Sequence, residues 1–306
     1  MDDQVLDWLL DGDPAVRWQV ERDILGLEPA TWGQTRKQCV EEGLVRRLVD
    51  LQDSDGTWGG GLYSPKWTST TYSLLLLRRL GLEPGNAAAL DGCAVLLDRA
   101  RWLDGGLTYW KTHTYAEKCV NGMVLSVGAY FGLDDQRFDR IAESLAHDRM
   151  GDGGWNCLDH EGATHSSMHT TISVLEGLSS WQERHDDPDV ANALRSGEDF
   201  LLAHRLFRSH RTGEVVDPGW LAPHFPPRWH YDVLRGADHF RRIDRWDGRL
   251  EDGIDVIGSQ RTSTGRWPRG PSYGGRTFFP LEDSWRGGRF NTLRGLRVLE
   301  WADRSR

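Results

Sequence analysis

Apolar residues fall at helical spacing in two alternating kinds of segment along the chain. The first kind is amphipathic and heavily charged: residues 36–52, 87–103, 137–149, 190–208 and 250–261. The second is less charged and apolar over more of its circumference: TTYSLLLLRRL (70–80), GMVLSVGAYF (122–131), HTTISVLEGL (169–178), YDVLRGADHF (231–240) and FNTLRGLRVL (290–299). VRWQVERDIL (16–25) fits the second template, with residues 4–10 as its short partner. A helix apolar nearly all round needs neighbours on every side, whereas an amphipathic one needs a neighbour on a single face. Six such pairs predict an all-α fold. The expected form is an (α/α)6 toroid, a double ring of six inner and six outer helices, with one domain over residues 1–306.

The joints inside these pairs carry a repeated turn. Asp55-Gly56-Thr57-Trp58 returns as Asp104-Gly105-Gly106-Leu107 and as Asp152-Gly153-Gly154-Trp155. Weaker copies follow at Thr212-Gly213-Glu214-Val215 and Thr264-Gly265-Arg266-Trp267. The glycines lie 49, 48, 60 and 52 residues apart, one copy for each successive helix pair. Glycine permits a tight turn, an Asp side chain answers backbone donors, and the Trp covers the joint. The element reads as structural first.

Charge and composition then remove function classes. A net charge of −9 and a pI near 5.7 leave no basic footprint for nucleic acid. No stretch reaches the ~18 apolar residues that suggest a membrane span. The acidic start, MDDQVLDWLLDGD, has too short an apolar run for a secretory signal. Cys39, Cys93, Cys119 and Cys157 are far apart with no CxxC pair, so a reducing cytoplasm is expected. The 15 tryptophans are the anomaly, and many sit in Gly- and Pro-rich stretches, where they are expected to line loops and a cavity.

The loops and helix starts expected to face that cavity supply candidate substrate-binding residues: Trp67, Lys111, His113, Trp155, Arg228, His230, Tyr231 and Arg289, with Trp285 among the further aromatics. Arg228 and Arg289 could hold a diphosphate or carboxylate through a bidentate fork, and Lys111 through its point charge. Aromatic walls suit an isoprenoid chain, a developing carbocation or a sugar face. Asp232, preceded by His230 and Tyr231, is the candidate general acid or base, given a pKa tuned by burial. For each residue alone, packing or ion pairing at the joint is the competing role. Asp186-Asp187-Pro188-Asp189 reads as a helix-capping turn rather than a diphosphate site.

Gln52-x3-Gly56-x-Trp58 resembles the QW repeat of squalene and oxidosqualene cyclases, and the paired-helix period is similar to theirs and to that of protein prenyltransferase β subunits. Arg149 and Arg261 stand where that motif has Gln in two other copies, and no DxDD is present. The resemblance implies a hydrophobic cavity and an isoprenoid or other apolar substrate with an anionic group. It also implies zinc: prenyltransferase β subunits hold the metal with Asp-x-Cys at one inner-helix start and a His from a later one. Glu117-Lys118-Cys119 and His169 match those positions in part, and Cys157, His160 and His165 lie close enough in sequence to substitute. Three ligands with an open fourth position would suit catalytic zinc. Prenyltransferases of this type also use a second subunit, which nothing in this sequence indicates.

Two other readings stay open. One is a carbohydrate-active enzyme, with Asp152, Asp159, Asp232, Glu282 and Asp283 as carboxylates, since inverting glycosidases need a facing pair. The other is a non-catalytic binding protein on the same fold. In each reading the partner is a small molecule.

Overall fold

The computed structural model describes residues 2–282 and 287–306, so two of the candidates, Asp283 and Trp285, lie outside the described residues. Helices dominate in the expected order: α1 (Asp3–Leu10), α2 (Pro14–Asp23), α3 (Pro29–Gln38), α4 (Gly43–Val49), α5 (Thr70–Leu80), α6 (Ala87–Asp98), α7 (Lys118–Phe131), α8 (Arg137–His147), α9 (Met168–Gln182), α10 (Pro188–Ala203), α11 (Val233–Arg242), α12 (Glu251–Ser259) and α13 (Arg289–Ser305). The fold is all-α. A single short hairpin interrupts it among the described residues: β1 (Arg101–Leu103) pairs antiparallel with β2 (Gly106–Thr108). No described helix is long and apolar enough to cross a membrane.

Three segments depart from the expected helices, and of these 190–208 ends early as α10 at Ala203. Residues 36–52 break into α3 and α4 because Asp13 intrudes at the joint: its carboxylate accepts the N–H groups of Ala15 and Leu44, both at 2.9 Å, and so caps α2 and anchors α4. Gly43 is required there, with φ +77° and the Asp13 carboxylate 2.4 Å from where a Cβ would stand. The segment 87–103 stops at Asp98 because its last residues leave the helix to form β1 around the Asp104-Gly105 turn.

The chain forms two compact units. The first comprises Met1–Asp50, Arg79–Leu82 and Leu202–Arg306; the second comprises Leu51–Arg78 and Glu83–Leu201. In the second unit the two kinds of helix are plain. From Met168 to Leu178, α9 buries every residue except His169, whereas α8 buries only Phe138, Ile141, Ala142, Leu145 and Ala146, one stripe at helical spacing. Glycines let α7 and α9 meet backbone to backbone. A Cβ at Gly177 would stand 2.4 Å from the Gly122 carbonyl oxygen, and one at Gly122 2.6 Å from that of Ser173. Gly177→Ala is therefore a discriminating test. Helix propensity alone would favour alanine by about 1 kcal/mol, but overpacking at an unyielding backbone costs ~1–3 kcal/mol. Net destabilisation is expected in a urea unfolding curve; a gain in stability would show that the helices are not in contact there.

The repeated turn has a common construction. Gly56, Gly105, Gly153, Gly213 and Gly265 all have positive φ. In the second unit the N–H groups of Trp58 and Trp155 each donate to a threonine at the start of the following helix, Thr70 and Thr171, at 3.1 Å. In the first unit Trp267 donates to Thr292 at 3.0 Å. The indole of Trp155 donates to the Leu145 carbonyl (2.7 Å) and that of Trp267 to Ile257 (2.8 Å), tying each turn to the helix before it. Gly92, Gly197 and Gly295 leave room for the three rings, since a Cβ on any of them would fall within 2.8 Å of one. These tryptophans are wholly buried, which leaves Trp155 no exposed face for the expected substrate-binding role.

Gln52 donates to the carbonyls of Gly56 (3.0 Å) and Ala88 (2.8 Å), locking its turn to α6. In the last copy Arg261 donates to Gly265 at 3.2 Å, so a guanidinium does the work of the missing glutamine. The fourth copy departs. Its turn closes from Ser209 to Glu214, one residue wider than the Asp53–Thr57 and Met150–Gly154 turns, and Val215 is 36% exposed. Tyr231 supports that joint instead, its hydroxyl donating to the buried Leu206 carbonyl at 2.7 Å. Being sealed there, Tyr231 cannot line a substrate site as expected.

Candidate functional site

Two clusters of chemically capable side chains emerge, one in each unit. In the second unit the start of α7 is the focus. Glu117 stands at its N-cap position without capping it, and reaches back to His113, whose Nδ1 contacts one carboxylate oxygen. The other oxygen is buried with no hydrogen-bond partner among the described residues. His113 is stacked between Trp110 (5.0 Å) and Tyr115 (4.7 Å), and Tyr115 lies on His160 at 3.4 Å. Tyr63 extends this wall onto Trp110 and Tyr72, and Trp67 sets its edge against Tyr72. Lys118, nearly buried, pairs with Asp159.

Two residues into the same helix, Cys119 donates its N–H to the Cys157 sulfur at 3.1 Å, and the Thr170 hydroxyl from α9 approaches that sulfur at 3.6 Å. Cys157 thus sits where two helix N-termini converge. Donated hydrogen bonds, first from the Cys119 thiol and then from backbone and Thr170, pull its pKa down despite burial and Glu117. The pKa of Cys119 is pushed well up by its bond to Cys157 and by burial. The set does not fit zinc as implied. Among the described residues no three His, Cys, Asp or Glu side chains gather to hold a metal ion. Glu117 is taken by His113, His169 joins no such group, and His160 Nδ1 contacts the Cys157 carbonyl. His165, exposed, contacts the Thr164 hydroxyl.

In the first unit a cavity of about 260 Å³ opens between the loops before α11 and α13. Phe225, Pro226, Phe279 and Pro280 give it apolar walls; Arg228, Arg269, His224 and Glu282 give it polar ones. Asn291 fixes this geometry by donating to the carbonyls of Pro223, Pro268 and Arg269 at 2.9–3.1 Å. Gly270 makes the approach possible, with φ +79° and the Pro223 carbonyl 2.0 Å from its would-be Cβ. Tyr273 stacks on both His224 (4.6 Å) and His230 (3.6 Å). His224 is almost wholly buried, and its Nδ1 has no hydrogen-bond partner among the described residues. Burial lowers its pKa, with Asp232 opposing, so the ring is neutral at pH 7. Burial also raises the pKa of Glu282, one of whose oxygens accepts the Phe290 N–H at 3.0 Å.

Asp232 supports this cavity from beneath rather than reacting in it. It is 0% exposed, caps α11 through the Arg235 N–H (2.7 Å), accepts the His224 N–H (3.2 Å) and faces Arg294 at 3.9 Å. A carboxyl so enclosed has no route to a substrate, which corrects its expected acid–base role. Arg228 lines the cavity, and His230 stacks on Tyr273, which also lines it. Arg289 lines a separate cavity of about 280 Å³ with Arg47 and Glu282, its guanidinium lying over Trp8 and bonding the Trp8 carbonyl. Lys111 is exposed, its carbonyl accepting from Arg101. Of the glycosidase candidates, Asp152 holds Ser166, Asp159 holds Lys118 and Asp232 is sealed, which leaves Glu282 facing a cavity. Asp187 caps α10 through the N–H groups of Asp189 and Val190.

Sequence reasoning missed His224's pivotal place and Arg269 altogether. Asn291 flags the site in retrospect: a buried amide in the first turn of an apolar helix must find backbone partners.

No family model matches the chain, and neither does any curated protein. Solved structures do. One is a crystal structure of a protein from Actinoplanes, at 16% identity over 98% of both chains and a TM-score of 0.52. Another is the type II terpene cyclase MstE from Scytonema, at 16% identity over 99% of this chain and 97% of that one, with a TM-score of 0.49. At such identity the likeness concerns fold alone.

Proposed function

We propose that this is a terpenoid-cyclase-like protein whose first unit binds a small, mostly apolar molecule with one anionic end, such as a short isoprenoid diphosphate or carboxylate. The observation that carries the reading is the composition of one cavity: aromatic and proline walls converge on two arginines and on His224, whose Nδ1 has no hydrogen-bond partner among the described residues. Guanidinium groups recognise phosphate and carboxylate oxygens in bidentate fashion, while the walls exclude water from a hydrocarbon chain. His224, held neutral by burial, supplies a directional hydrogen bond rather than a third charge. At about 260 Å³ the cavity falls just below the usual range of ligand pockets, which favours short chains over triterpenes. The QW-like turns add the sequence resemblance to the same class of protein. No metal enters this reading.

Calorimetric titration of the full chain with geranyl diphosphate, geraniol and inorganic diphosphate tests it. The diphosphate ester is expected to bind more tightly than either fragment. Arg269→Gln should weaken it by about 10–100-fold, the worth of one charge-assisted hydrogen bond, with unchanged circular dichroism. Equal affinity for the variant, or no preference for the ester, would refute the proposal.

A further inference from the structure

We propose that Cys119 and Cys157 are an oxidisable thiol pair, with Cys157 the sulfur that reacts first with a peroxide and Cys119 the one that resolves it into a disulfide. The inference is independent of the cavity in the first unit and rests on how the second unit places the two sulfurs. They are 38 positions apart in sequence, yet the Cys119 N–H donates to the Cys157 sulfur at 3.1 Å. Charge on the Cys157 sulfur is met by the start of α7, by that N–H and by the Thr170 hydroxyl at the start of α9. Such surroundings favour the thiolate, which is the reactive form of cysteine. Both residues are half-buried rather than sealed. Cys39 and Cys93, by contrast, are buried, with pKa values pushed up by desolvation, that of Cys39 to about 12.

The chemistry balances with hydrogen peroxide as the oxidant. The Cys157 thiolate attacks one peroxide oxygen, the O–O bond breaks, and the departing hydroxide takes a proton to leave as water. This yields a sulfenic acid on Cys157. The Cys119 sulfur then attacks that sulfenic sulfur, losing its proton, and a second water leaves as the disulfide forms. The sulfur pair gives up two electrons and the peroxide is reduced to water; a small dithiol reverses the change. The bond would fasten the loop carrying Asp159 and His160 to the first turn of α7, where that loop is otherwise held by Lys118 and by the Tyr115 stack.

The test uses reduced full-length protein, stoichiometric hydrogen peroxide and mass-spectrometric mapping. The expected product is a single Cys119–Cys157 cross-linked peptide, 2 Da lighter than the reduced pair, formed at least about 10-fold faster than any oxidation of Cys39 or Cys93. Dithiothreitol should restore it. In Cys119→Ser, whose backbone N–H still serves Cys157, dimedone should trap a sulfenic acid on Cys157. Persistence of both thiols under peroxide would overturn the proposal. So would trapping on Cys119 in Cys157→Ser at the rate seen for Cys157, or reaction of Cys39 and Cys93 at a comparable rate.

Discussion

Trp155→Ala is expected to destabilise the second unit by about 3–5 kcal/mol, the range for removing a large aromatic from a packed core. The ring is 0% exposed and packs so tightly against α10 that a Cβ on Gly197 would stand 2.5 Å from it. Its indole N–H also satisfies the Leu145 carbonyl at the end of α8, which alanine would leave without that donor. The substitution therefore loosens both helices at once. A companion change separates packing from other causes. Gly197→Val alone should destabilise by collision with the indole, yet in the Trp155→Ala background it should recover stability by filling part of the void. That reversal of sign is a coupling that contacting residues show and distant ones do not. Val215→Ser, at the divergent fourth copy of the turn, should stay within about 0.5 kcal/mol of the parent. Urea unfolding midpoints read all four variants, and a Trp155→Ala loss below about 1 kcal/mol would contradict the pillar role.

The helix pairs were legible because burial on one face or on all faces leaves a period in the sequence. So was the turn, since a positive φ at Gly56, Gly153 and Gly265 admits few other residues. What the pattern could not disclose was equivalence by chemistry: Arg261 fills the place of Gln52 because either side chain can donate to the carbonyl four residues on. Candidate chemistry was less legible, for a related reason. His230, Tyr231 and Asp232 read as a reactive group because their polar atoms are adjacent in sequence. Folding gives Tyr231 to Leu206 and Asp232 to a helix cap, a fate that an Asp directly before an apolar helical run already signals. Conversely, the meeting of Cys119 with Cys157 depends on α7 lying against α9, a long-range pairing that no local spacing encodes. Arg269 and Glu282 illustrate a further gap, since they acquire meaning only once Asn291 binds the Arg269 carbonyl and the Phe290 N–H binds the Glu282 carboxylate.

Arg297→Met is expected to cost about 3–5 kcal/mol in the first unit, because removing one member of a buried ion network strands the others. Arg297 donates to Asp238 at 2.8 and 3.1 Å and to Asp23 at 3.3 Å, with Gln19 at 3.2 Å; Arg241 adds a bond to Asp238 at 2.8 Å. All four charged groups are largely removed from water. Burial alone would raise the Asp238 pKa, but Arg297, Arg241 and Arg294 overcome it and hold the carboxyl far below the usual carboxylate range. Asp23 is lowered too, against burial, by Arg22 and Arg297. A carboxyl with a depressed folded-state pKa contributes stability that is complete above its unfolded value, near 3.8, and lost as pH falls towards the folded one. The parent protein should therefore lose stability steeply below about pH 4. Arg297→Met, already deprived of the main cation on Asp238, should start lower at pH 7 and show a shallower acid decline. A double change, Asp238→Leu with Arg297→Met, should be less harmful than Arg297→Met alone, since the stranded charge goes with its partner. Parallel acid limbs for parent and single variant would mean that Arg241 and Arg294 suffice to ionise Asp238, and that Arg297 serves packing rather than charge.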